Sequence, residues 1–159
     1  MKELIDSHDI LVVTGPESSG KSTLVSSIAS TYGLPTVGEY ARSYLDQLGT
    51  SYVWEDLVTI GKCQCLQEAA AHRRYPHIIC DTDIITIDIW SKEKFGKSIG
   101  IPNQFIDSKH YLLCAPNIPW VADPQRENPI DRHRLFDVYH DYLVQNKLSF
   151  SVYKADRRF

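Results

Sequence analysis

Residues 10–24 read ILVVTGPESSGKSTL. A β-branched run leads straight into a hydroxyl-rich loop with one lysine, bracketed by Gly15 and Gly20, and a helix-like pattern follows. GPESSGKS satisfies G-x-x-x-x-G-K-[ST] at every specified position. Each residue type has a physical reason to be there. Gly15 and Gly20 let the backbone turn tightly and approach an anion. Successive N–H groups then form a cradle, to which the helix from Ser22 adds its positive end. Lys21 can place a charge between the β- and γ-phosphates of a nucleotide, and Ser22 offers a hydroxyl to Mg²⁺. With Glu17, Ser18, Ser19 and Thr23, these residues form a candidate ATP-binding loop.

Working outward, strand-like runs occur at 9–13, 35–38, 77–80, 111–114 and 149–153, with helix-like patterns between them. Ser22 to Tyr32 follows the loop, and Glu39 to Leu48 ends at Gly49. Trp54 to Tyr75 stops before Pro76, and another helix runs from about Asp83 to Phe95. A last helix is expected to start at ENPID, with Asn128 as cap, Pro129 in the first turn and Asp131 at the positive end. Its apolar face would comprise Ile130, Leu135, Val138, Tyr139, Tyr142 and Leu143. Alternating strands and helices predict an α/β fold, a five-stranded parallel sheet flanked by helices. Ligands of such sheets sit beyond the carboxyl ends of the strands, which is where the glycine loop falls.

The other strand ends carry the remaining candidates. The third ends IICDTD, and Asp81, leaving an apolar strand beside the loop, is the first choice to hold Mg²⁺ and its waters. Asp83 can meet a substrate hydroxyl, or merely cap the helix that follows. The second strand ends VGEYAR. Glu39 can accept a proton from an attacking hydroxyl or bind a sugar hydroxyl, with Tyr40 beside it. Arg42 can reach an anion, or simply pair with Glu39 on the surface. Between the fourth strand and the last helix, PNIPWVADPQRENPIDRHR carries Arg126, Arg132 and Arg134. An arginine there can close over ATP as a lid, and Arg126 is the preferred one; the other two read rather as a solvated helix start. Trp90 and Trp120 can stack on a flat cationic base or pack in the core.

Composition narrows the classes. A chain of 159 residues suits one domain, residues 1–159. The net charge of −3 argues against a general nucleic-acid binder. No run approaches a membrane span and the N-terminus does not read as a signal peptide, so a cytoplasmic protein is expected. Cys63, Cys65, Cys80 and Cys114 read as reduced thiols used as small apolar side chains. The histidines show no metal-like spacing.

Taken together, GPESSGKSTL, EYAR, DTDIITIDIW and PWVADPQR, in that order, resemble the kinase domain of NadR-type ribosylnicotinamide kinases, over roughly residues 9 to 155. The resemblance implies a nucleoside-kinase-like core with an arginine lid, and transfer of a phosphoryl group from ATP to the 5′-hydroxyl of nicotinamide riboside. By position, Lys21, Ser22 and Asp81 fall on the ATP and Mg²⁺ site, Glu39, Arg42 and Asp83 on the substrate side, and Arg126 on the lid. Three departures stand out. The chain starts at the kinase strand, so no adenylyltransferase activity is expected. Gly38 occupies a place that can be aromatic in such proteins, which leaves the accepted base open. The sequence SVYKADRRF stops where a closing helix is expected, so either the chain is cut short there or something else covers that edge of the sheet.

The alternatives are a kinase of another nucleoside or small metabolite, or a regulatory ATPase or GTPase switch. A guanine-reading N-K-x-D is incomplete, since Asn146-Lys147 is followed by Leu148 and Ser149. DQLG at 46–49 imitates D-x-x-G without a preceding strand, and an AAA-type motor normally needs more chain for its lid domain. The oligomeric state stays open.

Overall fold

The computed structural model describes residues 1–49, 51–102, 106, 108–126 and 130–155. In chain order the elements are α1 (Lys2–Ser7), β1 (Ile10–Thr14), α2 (Lys21–Tyr32), β2 (Thr36–Val37), α3 (Tyr40–Leu48), α4 (Trp54–His72), β3 (Ile78–Asp81), α5 (Ile84–Phe95), β4 (Lys109–Cys114), α6 (Arg132–Gln145) and β5 (Ser149–Tyr153). The five strands form one sheet in the order β2-β3-β1-β4-β5, and every pairing is parallel. The Asp81 strand therefore lies directly against the loop strand, with Val13 opposite Asp81. Because all strands run the same way, the loops after β1, β2, β3 and β4 emerge at one edge.

Successive side chains on each strand face opposite sides, and both sides are covered. Leu11, Val13, Ile79 and Leu112 pack with Ile5 of α1 and Leu24, Val25 and Ile28 of α2. Val12, Cys80, Tyr111 and Leu113 pack with Ile85 and Ile89 of α5 and Tyr139 and Leu143 of α6. A third cluster joins Ala41 of α3, Leu57 and Ile60 of α4, and Ile87 of α5. Each fully buried Leu or Ile contributes about 1.5–3 kcal/mol, so the layers are held mainly by apolar burial.

Most expected elements are present, with informative differences at their ends. α4 ends at His72, three residues before Tyr75, and a turn leads into Pro76. α6 begins at Arg132 after Asp131, and Ile130 is 95% exposed, so it does not belong to the apolar face. The expected cap at Asn128 and Pro129 lies outside the described residues. α1 was not expected, since its charges mask the two residues, Leu4 and Ile5, that pack on the sheet. All four cysteines are free thiols.

The largest difference concerns β4, expected from residue 111 but beginning at Lys109. Lys109 is buried, and its Nζ lies 2.6 Å from Glu68 Oε2 and 3.0 Å from Asp83 Oδ2. Tyr111 Oη donates to the same Asp83 oxygen at 2.9 Å. Burial alone would discharge Lys109, but Asp83 and Glu68 outweigh it and raise its pKa above the ordinary lysine value. Glu68 is pushed up to about 7 by burial, which Lys109 only partly offsets. Removing one partner of such a group strands the others without compensation. Lys109→Met is therefore expected to cost roughly 3–5 kcal/mol of folding stability in urea denaturation, far more than a surface lysine would; a loss within about 0.5 kcal/mol would contradict this account of the core.

Candidate functional site

The loop between β1 and α2 takes its shape from three left-handed residues, Gly15 (φ 130°), Ser18 (φ 52°) and Gly20 (φ 84°). At Gly15 the chain runs so close to the end of β4 that a Cβ would fall 2.7 Å from the Cys114 carbonyl oxygen. Only glycine fits there. Gly20 is the N-cap of α2 and provides no side-chain cap, so the positive end of the helix opens onto the loop. Lys21 Nζ bonds the carbonyl oxygens of Gly15 at 3.0 Å and Pro16 at 2.9 Å, which folds the ammonium over the cradle. Burial lowers its pKa, while the charges of Glu39 and Asp81 push it back up.

Those two acids are the residues expected from β2 and β3. Glu39 is the N-cap of α3 and makes no side-chain capping bond, so its carboxylate is turned to other partners. It lines the phosphate-loop cavity together with Gly20, Lys21, Ser22 and Arg126. Burial raises its pKa above the ordinary 4.5, and Lys21 offsets part of that rise. Asp81 ends β3 and is felt electrostatically by both Lys21 and Glu39. Its Oδ1 is buried with no hydrogen-bond partner among the described residues. A buried carboxylate oxygen left bare beside an anion cradle suits a cation or its ordered water. Ser22 lies exposed on the first turn of α2 at the same cavity, as does Thr23.

The segment after β4 closes over this edge. Val121 N–H donates to Ser18 Oγ at 2.9 Å, and Ser19 Oγ braces the loop internally on the Pro16 carbonyl. Arg126 lines the phosphate-loop cavity and donates to the Val121 carbonyl. Arg132, expected as a solvated helix start, instead donates to the carbonyls of Ser18 (3.0 Å) and Ile118 (3.1 Å) and so ties α6 to the loop. The far side of the segment is latched to α3. Arg42 Nη1 meets Asp123 Oδ2 at 2.9 Å, with Arg42 Nε 3.8 Å from Glu39, and Gln125 donates to the Arg42 carbonyl and to Asp46.

A second cavity of about 790 Å³ adjoins the first, and Glu17, Trp90 and Gln125 line both. Its walls add Asp46, Tyr52, Glu93 and Tyr139 from α3, the α3–α4 connection, α5 and α6. Trp90 thus lies where a flat ligand could stack. Tyr52 and Glu93 have no local pattern that marks them, and DQLG pointed Asp46 to a different motif; only the packing of α3, α5 and α6 with the α3–α4 connection brings these residues to one cavity.

Three expected substrate residues are placed elsewhere. Asp83 is fully buried: Oδ1 accepts from Ile85 N–H to cap α5, and Oδ2 is taken by Lys109 and Tyr111. Of its two alternatives, capping is the one realised. Trp120 lines neither cavity; its ring is near two guanidinium groups, 6.0 Å from Arg126 and 5.7 Å from Arg132. Tyr40 also lines neither; its ring packs near Tyr44, with centroids 6.1 Å apart. No group of three or more His, Cys, Asp or Glu capable of holding a metal occurs among the described residues. A cation at Asp81 would therefore draw further oxygens from a nucleotide and water.

Known proteins resemble this chain in sequence and in fold. The profile of the AAA domain family matches residues 10–158. The chain is 29% identical over 158 residues to the trifunctional NAD biosynthesis/regulator protein NadR of Salmonella typhimurium and 28% over 151 residues to that of Escherichia coli. Those matches cover 92% and 88% of this chain but only 38% and 37% of the relatives' length. In structure, NadR in complex with NR superposes with a TM-score of 0.67 at 16% identity, covering 96% of this chain and 47% of that one. Deoxyadenosine kinase from M. mycoides superposes with a TM-score of 0.59 at 14% identity, covering 94% of this chain and 91% of the kinase. The architecture is thus that of P-loop kinases, and because the profile spans all five strands the chain belongs to the AAA domain family.

Proposed function

We propose that this protein is an ATP-dependent nucleoside kinase that phosphorylates the 5′-hydroxyl of nicotinamide riboside to nicotinamide mononucleotide, a step of NAD salvage in the cytoplasm. The observation that carries the reading is the convergence of Lys21, Glu39 and Asp81 at one sheet edge, beside a cavity large enough for a nucleoside. The similarity to NadR supports the choice of nucleoside. The cavity wall carries both signs of charge, Glu17, Asp46 and Glu93 beside Lys94 and Arg134, with Arg134 paired to Glu93, so what favours a flat cationic base is the stacking face of Trp90, in place of an aromatic residue at Gly38. A regulatory switch needs only the phosphate loop; the adjoining cavity favours a second substrate. No helix among the described residues is long and apolar enough to cross a membrane.

In this reading ATP lies along the loop with its phosphates on the backbone N–H groups and Lys21. The substrate O5′ attacks the γ-phosphorus, the bond to the β-bridging oxygen breaks, ADP leaves, and the hydroxyl proton passes to Glu39. Glu39 is the base because Asp83 is committed to Lys109. Its raised pKa makes it a stronger base than an ordinary carboxylate. Ser22 and Asp81 would hold Mg²⁺, which neutralises developing phosphate charge when bound. Arg126 closes from the lid and adds a further positive charge. Positioning and charge neutralisation account for the catalysis, with no covalent intermediate on the protein.

Three outcomes are expected. ATP consumption across a nucleoside panel should be strongest with nicotinamide riboside; turnover of thymidine or a pyrimidine nucleoside alone would refute the substrate and spare the kinase. Lys21→Ala should reduce turnover by at least about 10³-fold, measured by product formation, because one fixed charge at a transferring phosphoryl is worth several kcal/mol. Since only deprotonated Glu39 can accept the proton, kcat/KM should fall as pH drops through its pKa. That acid limb should lie above 4.5 and disappear in Glu39→Gln, whose kcat should drop about 10²–10⁴-fold. An unchanged rate in this variant removes Glu39 from the site.

A further inference from the structure

Gln64 is a fully buried amide on α4 that lines neither cavity. Burying an amide costs about 1–3 kcal/mol unless its donors and acceptor are matched. Here they are matched on the backbone that carries Glu39. Oε1 accepts from Tyr40 N–H at 2.9 Å, and Nε2 donates to the Gly38 carbonyl at 3.3 Å. One side chain therefore grips the main chain on both sides of Glu39. Only one orientation of the amide serves both groups, since exchanging O and N would set donor against donor and acceptor against acceptor. Tyr40 N–H is the first amide of α3, which makes Gln64 a cap supplied from a neighbouring helix. Glu39 occupies the N-cap position without giving its own side chain to capping.

Gln64 is fixed in turn. Its Nε2 lies 3.5 Å from Glu68 Oε1, one turn along α4, and Glu68 binds Lys109, which binds Asp83. Asp83 caps α5 two residues after Asp81. A continuous polar chain through the interior thus links the turn that carries Glu39 to the turn that carries Asp81.

We infer that Gln64 is the positioning residue for Glu39: it takes over the capping of α3 so that the Glu39 carboxylate can face Lys21 and the phosphate cavity. The inference rests on the kinase reading and on Glu39 as its base. Without the amide, the Gly38–Tyr40 peptide units lose both anchors, and a displacement of about 1 Å at a reacting group can cost on the order of 10²-fold in rate.

The test is a double-mutant cycle of Gln64→Met with Glu39→Gln, following kcat and the KM for ATP in the intact chain. Gln64→Met keeps the length and apolar bulk but makes neither bond. It should lower kcat at least about tenfold while leaving the KM for ATP within about twofold, because the amide touches no part of the phosphate loop. In the Glu39→Gln background the same change should have almost no further effect on kcat. If Gln64→Met does not fold, Gln64→Glu is read in the same cycle; it keeps the acceptor for Tyr40 N–H and loses the donor to Gly38. Additive losses in kcat, or equal losses in kcat and ATP affinity, would mean that Gln64 is structural only and would overturn the inference. Full activity of Glu39→Gln alone would take down the assignment of the base as well, so the two failures can be told apart.

Discussion

One ammonium group inside the fold sets much of what surrounds it. Lys109 is the first residue of β4, a strand buried along its whole length. Its charge is tolerable only because Glu68 from α4 and Asp83 from the start of α5 converge on it. That convergence fixes α4 and α5 against the sheet in one relative arrangement. Apolar clusters tolerate small slips between layers, whereas three groups bonded at 2.6–3.0 Å do not. The turns leading into α3 and α5, which carry Glu39 and Asp81, inherit this rigidity.

The phosphate loop depends on a second constraint of a different kind. Gly15 lies against the end of β4 where no side chain fits, so the curl of the loop is set by β4 as well as by its own sequence. Lys21 bonds loop carbonyls, and Arg132 grips the Ser18 carbonyl from α6. The cradle is thus preorganised by contacts from β4 and α6 and needs little rearrangement to receive an anion.

How much of this was legible in the sequence follows from how local each feature is. A motif such as GPESSGKS encodes its own backbone conformation, so the turns at Gly15 and Gly20 read directly, as did the positions of Glu39 and Asp81 at the ends of recognisable strands. Asp83 did not: whether it faces a ligand or a lysine depends on Lys109, 26 residues on, and on which strand lies beside β1. Trp120 stayed open between stacking and packing, because a lone aromatic in a polar loop gives no sign of the two arginines near its ring. Gln64 looked like any polar helical residue; its role depends on α3 crossing α4, which no periodicity reveals. Arg132 read as solvated because its carbonyl partner lies 114 residues away.

One of the fastenings that hold the segment after β4 over the phosphate-loop edge of the sheet is weak. Arg42 and Asp123 form a pair on the surface, with the arginine side chain about half exposed, and such pairs contribute at most about 1 kcal/mol each. They are also screened by dissolved ions, with a Debye length of about 8 Å at physiological strength. Added salt would loosen this fastening while leaving the buried Lys109 cluster almost untouched. The hydrogen bonds from Val121 to Ser18 and from Arg132 to the Ser18 and Ile118 carbonyls carry no such ion pair, so salt would act on the Arg42 side of the segment alone.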